Sequence, residues 1–344
     1  MGHARTALPG GNPWRTRSTA GVVPEADLVL EGGGVKGLGT AGAVMALLEA
    51  GYTAPRVAGT SVGAVAACFV AAGVDAAGFR AVLDRLDLRR IPDRRLPVPL
   101  VSESFSLLTH RGAYAGDWLH GWLMRELDSL GVRTFADLRR HDSGADPALD
   151  TPERRYTLVV MATDVTHGRL LRLPWDYGLF GLDPDEQLVA DAVRMSLSIP
   201  FYFEPCTLRD ATSGAVATIV DGGLLSNFPI EVFDRTDGRP ARWPTFGVRL
   251  FPDLPEGLGD VVPFYGAPML PAVHLLEQVV ATALVGNDQT HLDRPGVRDR
   301  TMTVDTRGTA ITDFDIDDAH RRELIARGER TAREFLERHA RAAP

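Results

Sequence analysis

The chain has 344 residues, of which 44% are hydrophobic and 24% are charged, and its formal net charge is −8. This composition is typical of a globular protein with a sizeable core, and the length fits one or two domains. The acidic balance argues against nucleic acid as the main partner, because binding to phosphates needs a basic surface. It also gives no help in attaching the protein to anionic lipid.

The cysteines and the hydropathy pattern indicate where the protein works. Cys68 and Cys206 show neither metal-binding spacing nor a disulfide framework, which favours a reducing compartment. Residues 1–26 lack the apolar segment of a secretory signal and are predicted to form a disordered tail. No run approaches the roughly 20 apolar residues that cross a bilayer. We therefore expect a soluble, cytoplasmic protein, with peripheral contact at a membrane surface left open.

Strand-like and helical segments alternate along the chain, which predicts an α/β fold with a central, mostly parallel sheet. Strands are predicted at 27–31, 56–59, 156–164, 217–221, 245–251 and 301–305. Helices are predicted at 38–50, 62–73, 75–88, 116–130, 185–196, 270–292 and 317–340. Long loops rich in Pro or Gly are predicted at 91–113, 141–155, 174–186 and 252–268.

We expect a single domain over residues 27–344, because no linker or internal repeat follows the tail. Its motif-bearing core is predicted at 27–250 and a helical C-terminal part at about 268–340. The segment 62–73 is apolar almost all round, which indicates a helix buried against the sheet.

The loop 31-EGGGVKGLGTAG-42 follows the first strand and has the Gly-x-Gly-x-x-Gly spacing of a dinucleotide-binding loop. It also contains Lys36, the only lysine of the chain. A Walker loop needs Ser or Thr after its lysine, and here Gly37 follows. A Rossmann domain needs a carboxylate near the end of the second strand, where this chain has Gly-Thr-Ser. Neither nucleotide interpretation is therefore favoured.

The segment 59-GTSVG-63 is Gly-x-Ser-x-Gly between a predicted strand and the buried helix. A serine on such a sharp turn projects its hydroxyl above the sheet, and Gly59 and Gly63 permit the tight backbone. The N–H groups of the following helix point toward charge that develops at the hydroxyl. Ser61 is thus a candidate nucleophile. The alternative is a simple helix cap.

A serine nucleophile needs a base. The histidines late in the chain lie outside any glycine-rich turn suited to catalysis: His274, His291, His320 and His339. Asp221 is better placed, because it ends an apolar strand, and strand ends are where ligands bind in open α/β sheets. Partial burial would raise its basicity enough to accept the serine proton directly. The alternative is an ordinary Asp-Gly turn.

The glycine loop, the segment around Ser61 and Asp221-Gly222-Gly223 occur in the order and rough spacing of the patatin-like phospholipase family, which the chain resembles over about residues 27–250. The segment 192-AVRMSLSIPFYFEP-205 also resembles a block of that family. Glu31 and Lys36 replace the more usual Asp and Arg, departures that leave the backbone donors and the Ser–Asp pair in place.

The resemblance implies a three-layer α/β/α patatin-like fold with a nucleophile elbow between a strand and a buried helix. It implies that Ser61 is the nucleophile and Asp221 the general base of a Ser–Asp dyad. It also implies an oxyanion hole formed by the glycine loop: Gly32, Gly33, Gly34, Val35, Lys36 and Gly37. Gly59 and Gly63 shape the elbow, and Gly222 and Gly223 complete the aspartate motif.

The implied activity is that of a serine lipid acyl hydrolase, a phospholipase A or esterase, which cleaves fatty-acyl esters through an acyl-enzyme. No metal and no organic cofactor is expected, and the expected partner is a lipid or acyl ester rather than nucleic acid or a nucleotide. Acyl transfer by the same residues and a lipid-binding or scaffold protein without turnover remain alternatives. Lys36 either orients the loop or meets a lipid phosphate, or it is a solvated cation. The aromatic residues at 175–180 either cover an acyl channel, dip into lipid, or belong to the core.

Overall fold

The structure is a computed structural model that describes residues 23–95, 109–140, 154–250 and 295–342, together with residues 106, 151, 279, 282 and 283. Its strands are β1 Asp27–Leu30, β2 Val57–Thr60, β3 Gly112–Tyr114, β4 Leu158–Asp164, β5 Arg169–Leu173, β6 Phe201–Phe203, β7 Cys206–Arg209, β8 Val216–Asp221, β9 Thr245–Arg249 and β10 Thr301–Thr303. Its principal helices are α1 Gly37–Glu49, α2 Val62–Ala71, α3 Ala76–Arg85, α4 Asp117–Ser129, α5 Val189–Ser196, α6 Pro295–Arg298 and α7 Asp318–Ala342.

The central sheet has the order β10-β9-β1-β2-β4-β8-β7, with β5 also paired to β4. All pairs from β10 to β4 are parallel, whereas β5 and β8 run antiparallel to β4 and β7 runs antiparallel to β8. Every residue of β1, β2 and β4 is buried. Such unbroken buried runs are typical of parallel strands covered on both faces. The predicted α/β class with a central, mostly parallel sheet is confirmed.

Helices flank this sheet, and α2 is one of those that are mostly buried. Its sequence VGAVAACFVA is small and apolar, so the helix packs directly on β1, β2 and β4. Helix α1 packs closely on α7, because glycines lie on both helices where they meet. A Cβ on Gly42 would lie 2.0 Å from the carbonyl oxygen of Ile325, and one on Gly328 would lie 1.9 Å from that of Gly39.

The six predicted strands and most predicted helices are present, with ends shifted by a few residues. Four short strands were not predicted: β3, which begins inside the predicted loop 91–113, and β5, β6 and β7. Most of the predicted helix 270–292, most of the predicted loop 141–155 and all of the predicted loop 252–268 lie outside the described residues.

The predicted disordered tail, residues 1–26, includes three residues that are folded. Ala26 is buried and its N–H donates to the carbonyl oxygen of Thr53, whose own N–H donates to Pro24. Residues 24–26 are therefore part of the folded chain, held beside the start of β1. Residues 1–22 lie outside the described part of the chain.

Candidate active site

Ser61 lies on the sharp turn between β2 and α2. Its backbone has φ 52° and ψ −126°, and residues other than glycine seldom adopt such a positive φ. The glycines on either side are needed for close approach. A Cβ on Gly59 would lie 2.4 Å from the carbonyl of Gly63, and a Cβ on Gly63 would lie 2.2 Å from the carbonyl oxygen of Leu30. This is the strained strand-to-helix geometry of a nucleophile elbow.

Strand β4 brings the elbow and the aspartate motif together. Thr60 of β2 pairs with Met161, and Asp221 of β8 pairs with Ala162, the next residue of β4. Strand β5 pairs with Val160–Asp164 and so occupies the other edge of β4. Strands β2 and β8 therefore share one edge of β4 and meet end to end. Ser61 and Asp221 lie where they meet, although they are far apart in sequence.

Asp221 is only 1% exposed, and its two carboxyl oxygens differ in environment. Oδ1 accepts a hydrogen bond from the Gly223 N–H at 2.8 Å, whereas buried Oδ2 has no hydrogen-bond partner among the described residues. Burial raises the pKa of Asp221 to about 7, while the Gly223 N–H and the nearby Ser61 hydroxyl act to lower it. Because a buried charge is poorly solvated, this carboxylate has a stronger affinity for a proton than an exposed one.

The glycine loop passes beside Ser61 and enters α1 through a 3-10 turn at Gly34–Lys36. Several of its N–H groups already donate hydrogen bonds: Gly32 to the Asn227 carbonyl oxygen at 3.3 Å, Val35 to that of Ile311 at 2.9 Å, Lys36 to that of Gly33 at 3.2 Å, and Gly37 to those of Gly34 and Val35. Within the described residues, the N–H groups of Gly33 and Gly34 make no such bond. They are the donors that a developing oxyanion could use.

The turn that follows α5 supports both members of the proposed pair. The Ser196 hydroxyl oxygen accepts a hydrogen bond from the Ser61 N–H at 2.8 Å. Two residues later, the Ser198 carbonyl oxygen accepts one from the Asp221 N–H at 2.9 Å. Arg194 holds this turn, since its guanidinium donates to the Ser198 hydroxyl at 2.7 Å. The Ser61 N–H is thereby unavailable to an oxyanion.

Asn227 fixes the start of the glycine loop from the opposite side. Its side-chain N–H donates to the Gly32 carbonyl oxygen at 3.2 Å, while its own carbonyl accepts from the Gly32 N–H. Sequence reasoning assigned no role to Asn227, Ser196 or Ile311. Ser196 lies inside the recognised segment 192–205, and Asn227 follows the aspartate motif by four residues, so their polarity next to buried apolar residues was an available signal. Ile311 contributes only a carbonyl group, for which no sequence signal exists.

The described late histidines have other partners. His320 Nε2 is hydrogen-bonded to Thr309 Oγ1 at 2.8 Å, and His339 stacks on Phe335 with ring centroids 6.0 Å apart. His274 and His291 lie outside the described residues.

Other singled-out side chains have structural surroundings. Buried Glu31 accepts a hydrogen bond from the Leu250 N–H and so joins the ends of β1 and β9. Lys36 is half-buried in the 3-10 turn. In the aromatic cluster, Trp175, Tyr177 and Phe180 are core residues, while Leu179 is exposed.

The fold and this site together define an α/β protein with a nucleophile elbow beside a buried strand-end aspartate. A family model described as patatin-like phospholipase matches residues 28–234, and the chain belongs to that family of lipid hydrolases. An uncharacterized protein of Bacillus subtilis, YqhO, is 39% identical over 229 residues, which are 66% of this chain and 71% of YqhO.

One solved structure agrees with this assignment at the level of the fold. VipD from Legionella pneumophila matches with a TM-score of 0.50 and 19% identity, over 91% of this chain and 67% of VipD. ExoU in its complex with SpcU from Pseudomonas aeruginosa matches with a TM-score of 0.46 and 19% identity, over 93% of this chain and 53% of the other. Among the helices that the structure describes, none is long and apolar enough to cross a membrane.

Proposed function

We propose that the protein is a carboxylic ester hydrolase acting on fatty-acyl esters, a phospholipase A or esterase, with Ser61 as nucleophile and Asp221 as general base. The observation that carries this proposal is the meeting of β2 and β8 on β4. At that point a strained serine lies beside a buried carboxyl group, and one oxygen of this group has no hydrogen-bond partner among the described residues. Hydrogen bonds of catalytic groups are often long without substrate and shorten when it binds.

In the proposed reaction Ser61 Oγ attacks the ester carbonyl carbon while Asp221 Oδ2 accepts the hydroxyl proton. The oxyanion accepts hydrogen bonds from the Gly33 and Gly34 N–H groups, at the N-terminal side of α2, whose dipole favours negative charge. Asp221 then returns the proton to the leaving alcohol. A water molecule, deprotonated by Asp221, attacks the acyl-enzyme, and the products are a carboxylic acid and free Ser61.

The test is the hydrolysis of p-nitrophenyl hexanoate by Ser61→Ala and Asp221→Asn. Both variants should lose roughly 10³-fold or more in kcat, because nucleophile and base act as one unit. Matched controls are Ser213→Ala and Asp128→Asn, which change exposed side chains outside the site and should retain full activity. Labelling by a fluorophosphonate should require Ser61. Turnover retained by either site variant would contradict the proposal.

A further inference from the structure

A segment of the C-terminal region, Thr306–Phe314, forms part of the site although it lies beyond residues 28–234 of the family match. We call this segment the strap. The Ile311 carbonyl oxygen accepts the hydrogen bond from the Val35 N–H at 2.9 Å. The contact is close, because a Cβ on Gly34 would lie 2.1 Å from that oxygen. The strap therefore contacts the glycine loop directly and pairs with its Val35 N–H group.

The strap is anchored at several points along its length. The Thr306 hydroxyl donates to the Leu250 carbonyl oxygen next to β9, and Thr309 is hydrogen-bonded to His320 of α7 at 2.8 Å. Thr306, Thr309 and Ile311 are at most 7% exposed. These contacts make the strap a fixed wall that is continuous with the sheet and with α7.

A narrow apolar channel begins at Ser61 and follows α2. The residues of α2 that line it share one helical face: Val62, Val65, Ala66 and Phe69. From Val62 to Phe69 this face extends about 10 Å at about 1.5 Å per residue. At its far end the Phe69 ring packs edge-on against Phe79 of α3 and Trp122 of α4, with centroids 6.5 and 5.7 Å away. Aromatic rings thus line the end of the channel opposite Ser61.

The strap supplies a wall near the entrance. Phe314 lines the channel and packs beside Val35, Leu38 and Leu88. Its ring centroid is also 6.0 Å from that of Tyr202. Since Phe314 is half-buried, its side chain can be shortened with less disturbance than one in the core.

The lining identifies the ligand by its chemistry. Apart from Ser61 and the backbone of the glycine loop, the described lining consists of aliphatic and aromatic side chains, with no charged group. Such a channel suits an alkyl chain whose carbonyl carbon lies at Ser61. Its volume is about 80 Å³, about half of the ~150 Å³ apolar cavity that admits benzene.

We propose that this channel is the acyl-binding site and that the strap is one of its walls, so that Phe79 and Phe314 determine chain length. The inference rests on the proposed function and narrows its substrate class to short and medium acyl chains. A length of about 10 Å accommodates about eight carbons, if each adds about 1.25 Å, and the small volume favours the lower part of that range.

The test compares kcat/KM on p-nitrophenyl esters from acetate to palmitate. The wild type should be most active at four to eight carbons and at least tenfold less active on palmitate. Phe79→Leu and Phe314→Leu should each raise the ratio of dodecanoate to hexanoate activity at least threefold. The matched control is Phe135→Leu. Phe135 is as deeply buried as Phe79, but it packs on Tyr156 and Tyr177 away from the channel. Its ratio should equal that of the wild type.

A binding measurement separates this inference from the proposed reaction. Calorimetry on Ser61→Ala should show tighter binding of methyl hexanoate than of methyl dodecanoate, and Phe314→Leu in that background should reduce the difference. An active wild type with a flat chain-length profile, or a Phe314→Leu profile equal to that of Phe135→Leu, overturns the acyl site and leaves the proposed function intact. An inactive wild type whose Ser61→Ala variant still discriminates chain length overturns the function and supports the acyl site. If Phe79→Leu does not fold, Phe314→Leu alone decides.

Discussion

Asp221 has an unusual environment for a carboxyl group. It is almost fully buried, and Oδ2 accepts no hydrogen bond from any part of the chain that the structure describes. Burial raises the pKa of Asp221 to about 7, which is close to the ordinary value for histidine of about 6.5. Desolvation thereby gives this aspartate a proton affinity close to that of the imidazole in Ser-His-Asp hydrolases.

This pKa predicts how activity depends on pH. The proposed base must be ionised to accept the Ser61 proton, so kcat/KM should be highest above pH 7. It should fall through a midpoint near pH 7 and then about tenfold per pH unit, as Asp221 becomes protonated. Initial rates with p-nitrophenyl hexanoate from pH 5 to 9, read at an isosbestic wavelength, measure this profile. A constant kcat/KM between pH 5 and 8 would show that Asp221 is not the base.

At the scale of structural elements, the important feature is the turn after α5. The Ser196 hydroxyl at the end of α5 and the Ser198 carbonyl in this turn hold the backbone N–H groups of Ser61, which follows β2, and of Asp221, which ends β8. Ser196 is fully buried, so water cannot replace its hydroxyl without rearrangement. The turn therefore sets the separation of the two proposed catalytic groups.

We predict that Ser196→Ala lowers kcat roughly 10- to 100-fold with little change in KM, because a small displacement of reacting groups is costly. Fluorophosphonate labelling should slow by a similar factor, while the midpoint of the pH profile stays near that of the wild type. The control is Thr331→Ala, which removes a hydroxyl bound to the Arg327 carbonyl within α7. A change in thermal stability without any change in labelling rate would mean that Ser196 is only structural.

At the scale of the whole molecule, α7 packs on α1, the helix that directly follows the glycine loop. The contact depends on facing glycines, since a Cβ on Gly328 would lie 1.9 Å from the Gly39 carbonyl oxygen. Interiors of proteins are close-packed, so an added methyl group there must separate the two helices. The strap, which leads into α7, would be displaced with them.

Gly328→Ala should therefore destabilise the protein by about 1–3 kcal/mol, although alanine is the better helix former. The same substitution at Gly178, where a Cβ would meet no atom within 4 Å, is the matched control and should be close to neutral. Thermal and urea denaturation of both variants measure the difference. Equal stability of Gly328→Ala and wild type would show that the helices can separate without cost.

Sequence reasoning succeeded where the signal was local. The buried parallel strands are largely apolar runs. Ser61 directly follows β2 and Asp221 ends β8, so a short segment identifies each proposed catalytic group. The short strands β3, β5, β6 and β7 were missed because each is only partly buried, so its apolar signal is weaker than that of the equally short but wholly buried β1 and β2.

The details of the glycine loop could not be predicted, because they depend on contacts between distant segments. Val35 was expected to help bind the oxyanion, and that role stays a prediction, but its N–H is already paired with Ile311. Gly32 is similarly paired with Asn227. Backbone carbonyl groups are present in every residue, so the sequence does not indicate which one reaches the loop.

The parallel pairing of β1 with β9 also has a consequence for biosynthesis. Leu28 of β1 pairs with Phe246 of β9, which is synthesised about 220 residues later. Pairing between segments so distant in sequence slows folding. Ile311, which contacts the glycine loop, is synthesised later still. A nascent chain on the ribosome thus carries both Ser61 and Asp221 well before the loop is in place. Under the proposed reaction, an incomplete chain would not hydrolyse lipids until the ribosome has released its C-terminal region, which supplies Ile311.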